Sequence, residues 1–151
     1  MRIVLQRVKN ASVTVEEEKI AAIDKGFLLL VGVAKGDTID IAVRMAQKIA
    51  NLRIFEDEGG KMNLSLKDTG GKVLSVPQFT LLASLEKGNR PGFDLAALPE
   101  EAKALWEEFN KALTSNGIEL SKGEFAAHME VSLINDGPVT LVFDSRKGGE
   151  R

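Results

Sequence analysis

Gly26-Phe27-Leu28-Leu29-Leu30-Val31-Gly32-Val33 is the stretch on which the fold turns. It is continuously apolar and short, bounded by glycines and rich in large aliphatic side chains. A half-buried strand alternates apolar and polar residues, so an unbroken run of this length reads as a strand covered on both faces. Working outward, residues 2–8 and 11–16 read as two strands joined near Lys9-Asn10. In the second, Ala11, Val13 and Val15 alternate with Ser12, Thr14 and Glu16, the pattern of a strand with one wet face.

Downstream, Asp37 is placed to cap a helix running to about Asn51. Its apolar stripe is Ala42, Met45, Ala46 and Ile49, while Asp40, Arg44, Gln47 and Lys48 face out. Leu52 to Phe55 reads as a strand leading into the turn Asp57-Glu58-Gly59-Gly60, and Lys72 to Pro77 as another. Pro99 opens a second helix, with Glu100 and Glu101 in its first turn and Gly117 at its end. Its stripe, Ala102, Leu105, Trp106, Phe109, Ala112 and Leu113, reads as core. Two final strands, about 125–135 and 139–144, flank Asn135-Asp136-Gly137-Pro138. These elements predict an α+β fold over residues 1–151 as a single domain: a mostly antiparallel, barrel-like sheet with two main helices packed on it.

Composition narrows the chemistry. With 151 residues, 44% apolar, the chain can build one substantial core. No stretch approaches the ~20 apolar residues of a membrane span, and Gln6 and Arg7 break the opening run too early for a signal peptide; a cytoplasmic location and no membrane partner are expected. There is no cysteine, which removes thiolate nucleophiles and cysteine metal sites. His128 is the single histidine, so a Ser-His-Asp triad would have to use it as base. No metal and no cofactor are expected, and any catalysis must lean on backbone groups or on the substrate. A formal charge of −2 argues against a broad nucleic-acid footprint but allows contact with a single-stranded end. The basic spots Lys87 with Arg90, and Arg146 with Lys147 and Arg151, read first as solvated surface.

Two segments stand out: Pro77-Gln78-Phe79-Thr80-Leu81 and Asn135-Asp136-Gly137-Pro138-Val139-Thr140. Alone, the first is a strand end broken by proline and the second a turn between the last two strands. In this order, together with Gln6-Arg7-Val8, Ala11-Ser12-Val13, Leu52-Arg53-Ile54-Phe55, Gly60-Lys61-Met62-Asn63-Leu64 and Lys87-Gly88-Asn89-Arg90-Pro91, the set resembles the D-aminoacyl-tRNA deacylase family nearly end to end. The family's usual first motif has serine where this chain has Pro77. A related branch acting on L-alanyl-tRNA carries proline there, but it replaces the following aromatic with alanine, and this chain keeps Phe79.

The resemblance implies a homodimeric hydrolase of the ester at the 3′ end of D-aminoacyl-tRNA, with mischarged glycyl-tRNA as a further substrate. It implies a cis Gly137-Pro138 bond projecting into the partner subunit's site. There the two carbonyls would hold the substrate α-amino group and crowd out an L side chain. It points to the 2′-hydroxyl of the terminal adenosine as the group assisting water attack. Gln78, Phe79 and Thr80 are the candidate catalytic segment, the N–H groups near Phe79 and Thr80 being candidates for stabilising the oxyanion. Thr80 as a nucleophile lacks an evident basic partner. Gly137, Pro138, Pro77, Arg7 and Met129 are candidate binding residues, Arg7 as a brace for the Gly-Pro segment. Two alternatives stay open: an L-alanyl- or glycyl-tRNA editor, motivated by Pro77, and a non-catalytic nucleic-acid-binding module.

Overall fold

A computed structural model describes residues 1–146, so Lys147 and Arg151 of the second basic spot lie outside the described residues. The chain runs β1 (Arg2–Val15), β2 (Glu18–Ile23), β3 (Gly26–Gly32), α1 (Ile39–Asn51), β4 (Phe55–Glu56), β5 (Met62–Leu64), α2 (Leu66–Thr69), β6 (Lys72–Pro77), a 3-10 turn (Phe79–Leu82), α3 (Pro99–Ser115), β7 (Leu120–Lys122) and β8 (Glu130–Asp144). The main sheet is ordered β2-β1-β3-β6-β7, with β8 on β1. Pairs around β1 are antiparallel, while β3–β6 and β6–β7 are parallel, giving a mixed, nearly barrel-shaped sheet. The α+β expectation with two main helices holds, α2 being only a single turn.

β3 is covered on both sides, as its unbroken apolar run requires. Phe27, Leu29 and Val31 join Ile3, Leu5 and the buried stripes of α1 and α3 in the larger core. Leu28 faces a second core with Val8, Ala11, Val13, Leu74 and Val76. Phe27 stacks on Phe55, ring centroids 5.2 Å apart, which ties β4 under the sheet. Trp106 reaches across from α3 and donates its indole N–H to the buried Ser75 hydroxyl at 2.9 Å.

Four local expectations change. The two strands expected over residues 2–16 are one strand, β1 (Arg2–Val15), because Lys9 is taken up as a bulge against β8: Val8 pairs with Asn135 and Asn10 with Ile134. The cap of α1 is Thr38, whose hydroxyl accepts from the Ile41 N–H at 3.3 Å. Asp37 accepts instead from the Ala34 N–H at 2.7 Å and the Met1 amine at 2.6 Å. Of the expected 52–55 strand only Phe55 is in β4. The last strand begins at Glu130 rather than near 125 and continues through Gly137-Pro138 to Asp144, so that segment is not a turn between two strands.

Candidate active site

The parallel strands β3 and β6 end side by side, with Pro77 opposite Val31. The Gln78 N–H donates to the Val31 carbonyl at 2.8 Å, and the chain then winds into the 3-10 turn. Gly32 makes room for this. A Cβ there would lie 2.5 Å from Leu82 Cδ2 and 3.0 Å from the Gln78 carbonyl, so the turn sits directly on the end of β3. Arg2, paired with Asp144 at 2.9 Å, donates to the Leu81 carbonyl at 2.7 Å and fixes the far side of the turn.

Within this segment the Gln78 side-chain amide donates to the Thr80 hydroxyl. Gln78 thus shapes its own loop, and the Thr80 oxygen is already engaged. The N–H groups of Phe79 and Thr80 open the turn, and Gln78 provides no side-chain cap for them. Phe79 is 57% exposed, unusual for an isolated phenylalanine, and is held edge-on by Phe93 at 5.1 Å and 67°. Met129 and Pro77 meet over Gly123, where an added Cβ would come 2.8 Å from Met129 Sδ and 3.6 Å from Pro77 Cδ. Pro77, Gln78, Phe79, Thr80 and Met129 therefore form one surface. It offers an apolar floor, an open aromatic face and two backbone N–H groups with no partner among the described residues, which suits an acyl group and a developing oxyanion.

Gly137 and Pro138 are displaced from this surface. Gln6 pairs with Thr140 and Val8 with Asn135, so β8 takes five residue steps where β1 takes two. Three extra residues are extruded from the ladder. Asn135 closes the base of this bulge: its side chain accepts from the Val139 N–H at 2.8 Å and donates to the Thr140 hydroxyl at 3.1 Å. Arg7, 5% exposed, donates through Nε to the Asp136 carbonyl at 2.9 Å and through Nη1 to the Ile54 carbonyl at 2.6 Å. Gly137 and Pro138 are left exposed at the tip, joined by a cis peptide bond. Arg7, expected as a brace for this segment, donates to the carbonyl of the residue that precedes Gly137. Asn135, quoted in the motif but given no role, is the residue the sequence reading missed. A short polar side chain at the mouth of a Gly-Pro loop was the available signal.

Sheet register separates the two motifs within one chain. Arg7 pairs with Phe27 and Pro77 with Val31, four residues along β3, or about 13 Å at strand rise. Across the sheet, β8 and β6 are separated by β1 and β3, about 14 Å at normal strand spacing. Gly137-Pro138 is therefore about 20 Å from its own Pro77–Thr80 segment by these spacings. His128 is exposed and lines an open pocket of about 510 Å³ with Glu16, Glu17, Glu18, Glu124 and Glu130, a pocket that no residue of either motif lines. Among the described residues no group of three or more His, Asp or Glu is arranged to hold a metal ion.

The family model for D-Tyr-tRNA(Tyr) deacylase matches residues 4–144. A D-aminoacyl-tRNA deacylase of Lactobacillus gasseri is 55% identical over 144 residues, 95% of this chain and 99% of that protein. One from Halalkalibacterium halodurans is 55% identical over 97% of this chain and 100% of its own length. Among solved structures, the c-Myc DNA Unwinding Element Binding Protein aligns with a TM-score of 0.89 at 42% identity, covering 96% of this chain and 99% of that one. A structure titled as that of a probable eukaryotic D-amino acid tRNA deacylase aligns at 0.81 with 16% identity over 94% and 97%, a likeness of fold alone. Among the described residues no helix is long and apolar enough to cross a membrane. By sequence over nearly its whole length, this chain belongs to the D-Tyr-tRNA(Tyr) deacylase family and is a hydrolase.

Proposed function

We propose that this hydrolase cleaves the ester of D-aminoacyl-tRNA, releasing free D-amino acid and tRNA, as a cytoplasmic proofreading step in translation. Glycyl-tRNA is a second substrate. The working unit is a homodimer in which Gly137-Pro138 of one chain faces the Pro77–Thr80 surface of the other. The observation carrying this reading is the exposed, Arg7-braced Gly137-Pro138 bulge, about 20 Å by strand spacing from the surface it would serve in its own chain. A rigid backbone wedge held ready at a surface, but out of reach of its own chain's catalytic surface, is what a cross-subunit filter requires.

In this arrangement the Gly137 and Pro138 carbonyls hold the α-amino group, and the backbone fills the space an L side chain would need. Such a gate acts at the Cα and ignores side-chain identity. A fitted pocket would separate substrates by only ~1–3 kcal/mol per methylene. Glycine has no side chain to exclude, so glycyl-tRNA passes. The Phe79 and Thr80 N–H groups stabilise the oxyanion, and the 2′-hydroxyl of the terminal adenosine assists the attacking water. The Gln78 amide donates to the Thr80 hydroxyl, which supports a positioning role over a nucleophilic one.

Single-turnover hydrolysis of D-tyrosyl-, L-tyrosyl-, glycyl- and L-alanyl-tRNA tests the reading. D-tyrosyl- and glycyl-tRNA are hydrolysed, and both L substrates resist. Faster cleavage of L-alanyl-tRNA would favour the reading motivated by Pro77. No turnover of any substrate, with tRNA still bound, would favour a binding module.

A further inference from the structure

A chain of net charge −2 that acts on a polyanion needs local positive charge beside its site, and charge of the other sign kept away. Both occur, on opposite sides of the Pro77–Thr80 surface. On the β7 side, Lys122 follows the β6 register, pairs with Glu107 at 2.9 Å, and is succeeded by the pocket carrying Glu124, Glu130 and the Glu16–Glu18 turn. On the other side, the 3-10 turn runs directly into residues 84–92. This segment is a stub closed at its base by reciprocal bonds between Ser84 and Gly92, at 2.7 and 2.9 Å. Lys87 and Arg90 are exposed at its tip, around Gly88, whose φ of +63 makes the reversal. Neither makes an ion pair among the described residues, although Glu86 and Asp94 lie nearby in sequence. Exposed Lys35 shares this end of the sheet, its N–H bonded to the Leu95 carbonyl at 2.9 Å. Phe93, at the foot of the stub, contacts Phe79.

We infer that the 84–92 stub is a phosphate rail for the single-stranded acceptor end of tRNA: Lys87 and Arg90 each neutralise one backbone phosphate, while the glutamate-lined pocket repels the strand from the β7 side. The inference rests on the proposed substrate class and adds the direction from which that substrate arrives. The closed base gives the stub a fixed root, and the Phe93–Phe79 contact links its foot to the ring exposed at the site.

The test is a Lys87→Ala/Arg90→Ala double variant, with binding of uncharged tRNA measured between 50 and 200 mM salt. Single-strand phosphate contacts contribute about −0.7 each to the slope of log affinity against log salt, so the slope should flatten by about 1.4. The wild type's advantage over the variant should then shrink about 7-fold across that range. KM for D-tyrosyl-tRNA should rise several-fold at low salt, while turnover of phosphate-free D-tyrosyl-adenosine changes less than twofold. An unchanged salt slope overturns the rail, as does an equal loss on both substrates. Failure of the wild type to hydrolyse D-tyrosyl-tRNA would sink the proposed function alone, because the uncharged-tRNA slope still reads the stub.

Discussion

Replacing Arg7 by lysine isolates what the brace does. The Arg7 guanidinium spans two carbonyls, Asp136 in β8 at 2.9 Å and Ile54 in the loop before β4 at 2.6 Å. Its ion pair with the Asp136 carboxylate is long, 3.8 Å, and that carboxylate is 40% exposed, so it contributes little. The carbonyl bonds carry the brace. A lysine ammonium donates from one point and cannot hold both carbonyls in the fork geometry. Losing one bond to a charged donor removes about 1.5–3 kcal/mol, which for a chain of this size lowers Tm by about 3–12 °C. Without the fork the Asp136 carbonyl, on the residue before Gly137, is no longer tied through Arg7 to Ile54, so the wedge shifts. A misplacement of about 1 Å reduces kcat/KM by about 100-fold. The ratio of D-tyrosyl- to L-tyrosyl-tRNA hydrolysis should narrow as the filter loosens. Differential scanning fluorimetry and kcat/KM on both substrates read these effects separately. A lower Tm with unchanged kcat/KM and unchanged D-to-L ratio would refute the brace as part of the filter. An unchanged Tm would refute the buried bonds themselves.

Three further outcomes are expected. Gly137→Ala places a Cβ 2.7 Å from Val139 Cγ2 and 2.9 Å from the Val139 N–H at a φ of +145; the strain of about 1–3 kcal/mol should appear as a small fall in Tm beside a large fall in kcat/KM. Thr80→Ala should retain substantial activity while tRNA ending in 2′-deoxyadenosine is a very poor substrate; abolished turnover in the first would restore Thr80 as nucleophile. Burial pushes the Asp144 carboxyl up, but the Arg146 N–H and the Arg2 guanidinium outweigh it and hold the group below its ordinary value of 3.8. A depressed carboxylate stabilises the fold above its unfolded value and loses that contribution as pH falls through 3.8 and below. Urea midpoints of Asp144→Asn should accordingly show a shallower acid decline than wild type.

What was legible in the fold is what depends on local pattern. β3 could be read because burial on both faces leaves an unbroken apolar run, and α1 and α3 because their stripes repeat at helical spacing. The misreadings share a cause: a long-range partner decides between two locally equivalent choices. Lys9-Asn10 looks like a turn, yet β8 pairs across it and absorbs Lys9 as a bulge. Asp37 and Thr38 are both good caps. Asp37 is taken by the Ala34 N–H and by the Met1 amine, brought beside it from 36 residues away. β7 is three residues long and exists only because β6 offers an edge in register.

The site resisted reading for a different reason. Both motifs are departures of the main chain from regular pairing, one a 3-10 turn at the end of a parallel strand, the other an extrusion from an antiparallel one. The groups they present are N–H and carbonyl groups that every residue carries, so side-chain chemistry does not mark them, and only the ordered set of motifs gave them away. This has a consequence for where damage should fall. In a site of side chains, the residues touching substrate matter most. On the proposed reading, the sensitive positions should also include those that shape the backbone: Gly32 beneath the 3-10 turn, Asn135 across the mouth of the bulge, and Arg7 behind it. Thr80, although it lies in the middle of the site, should tolerate loss of its hydroxyl better than any of these three tolerates replacement.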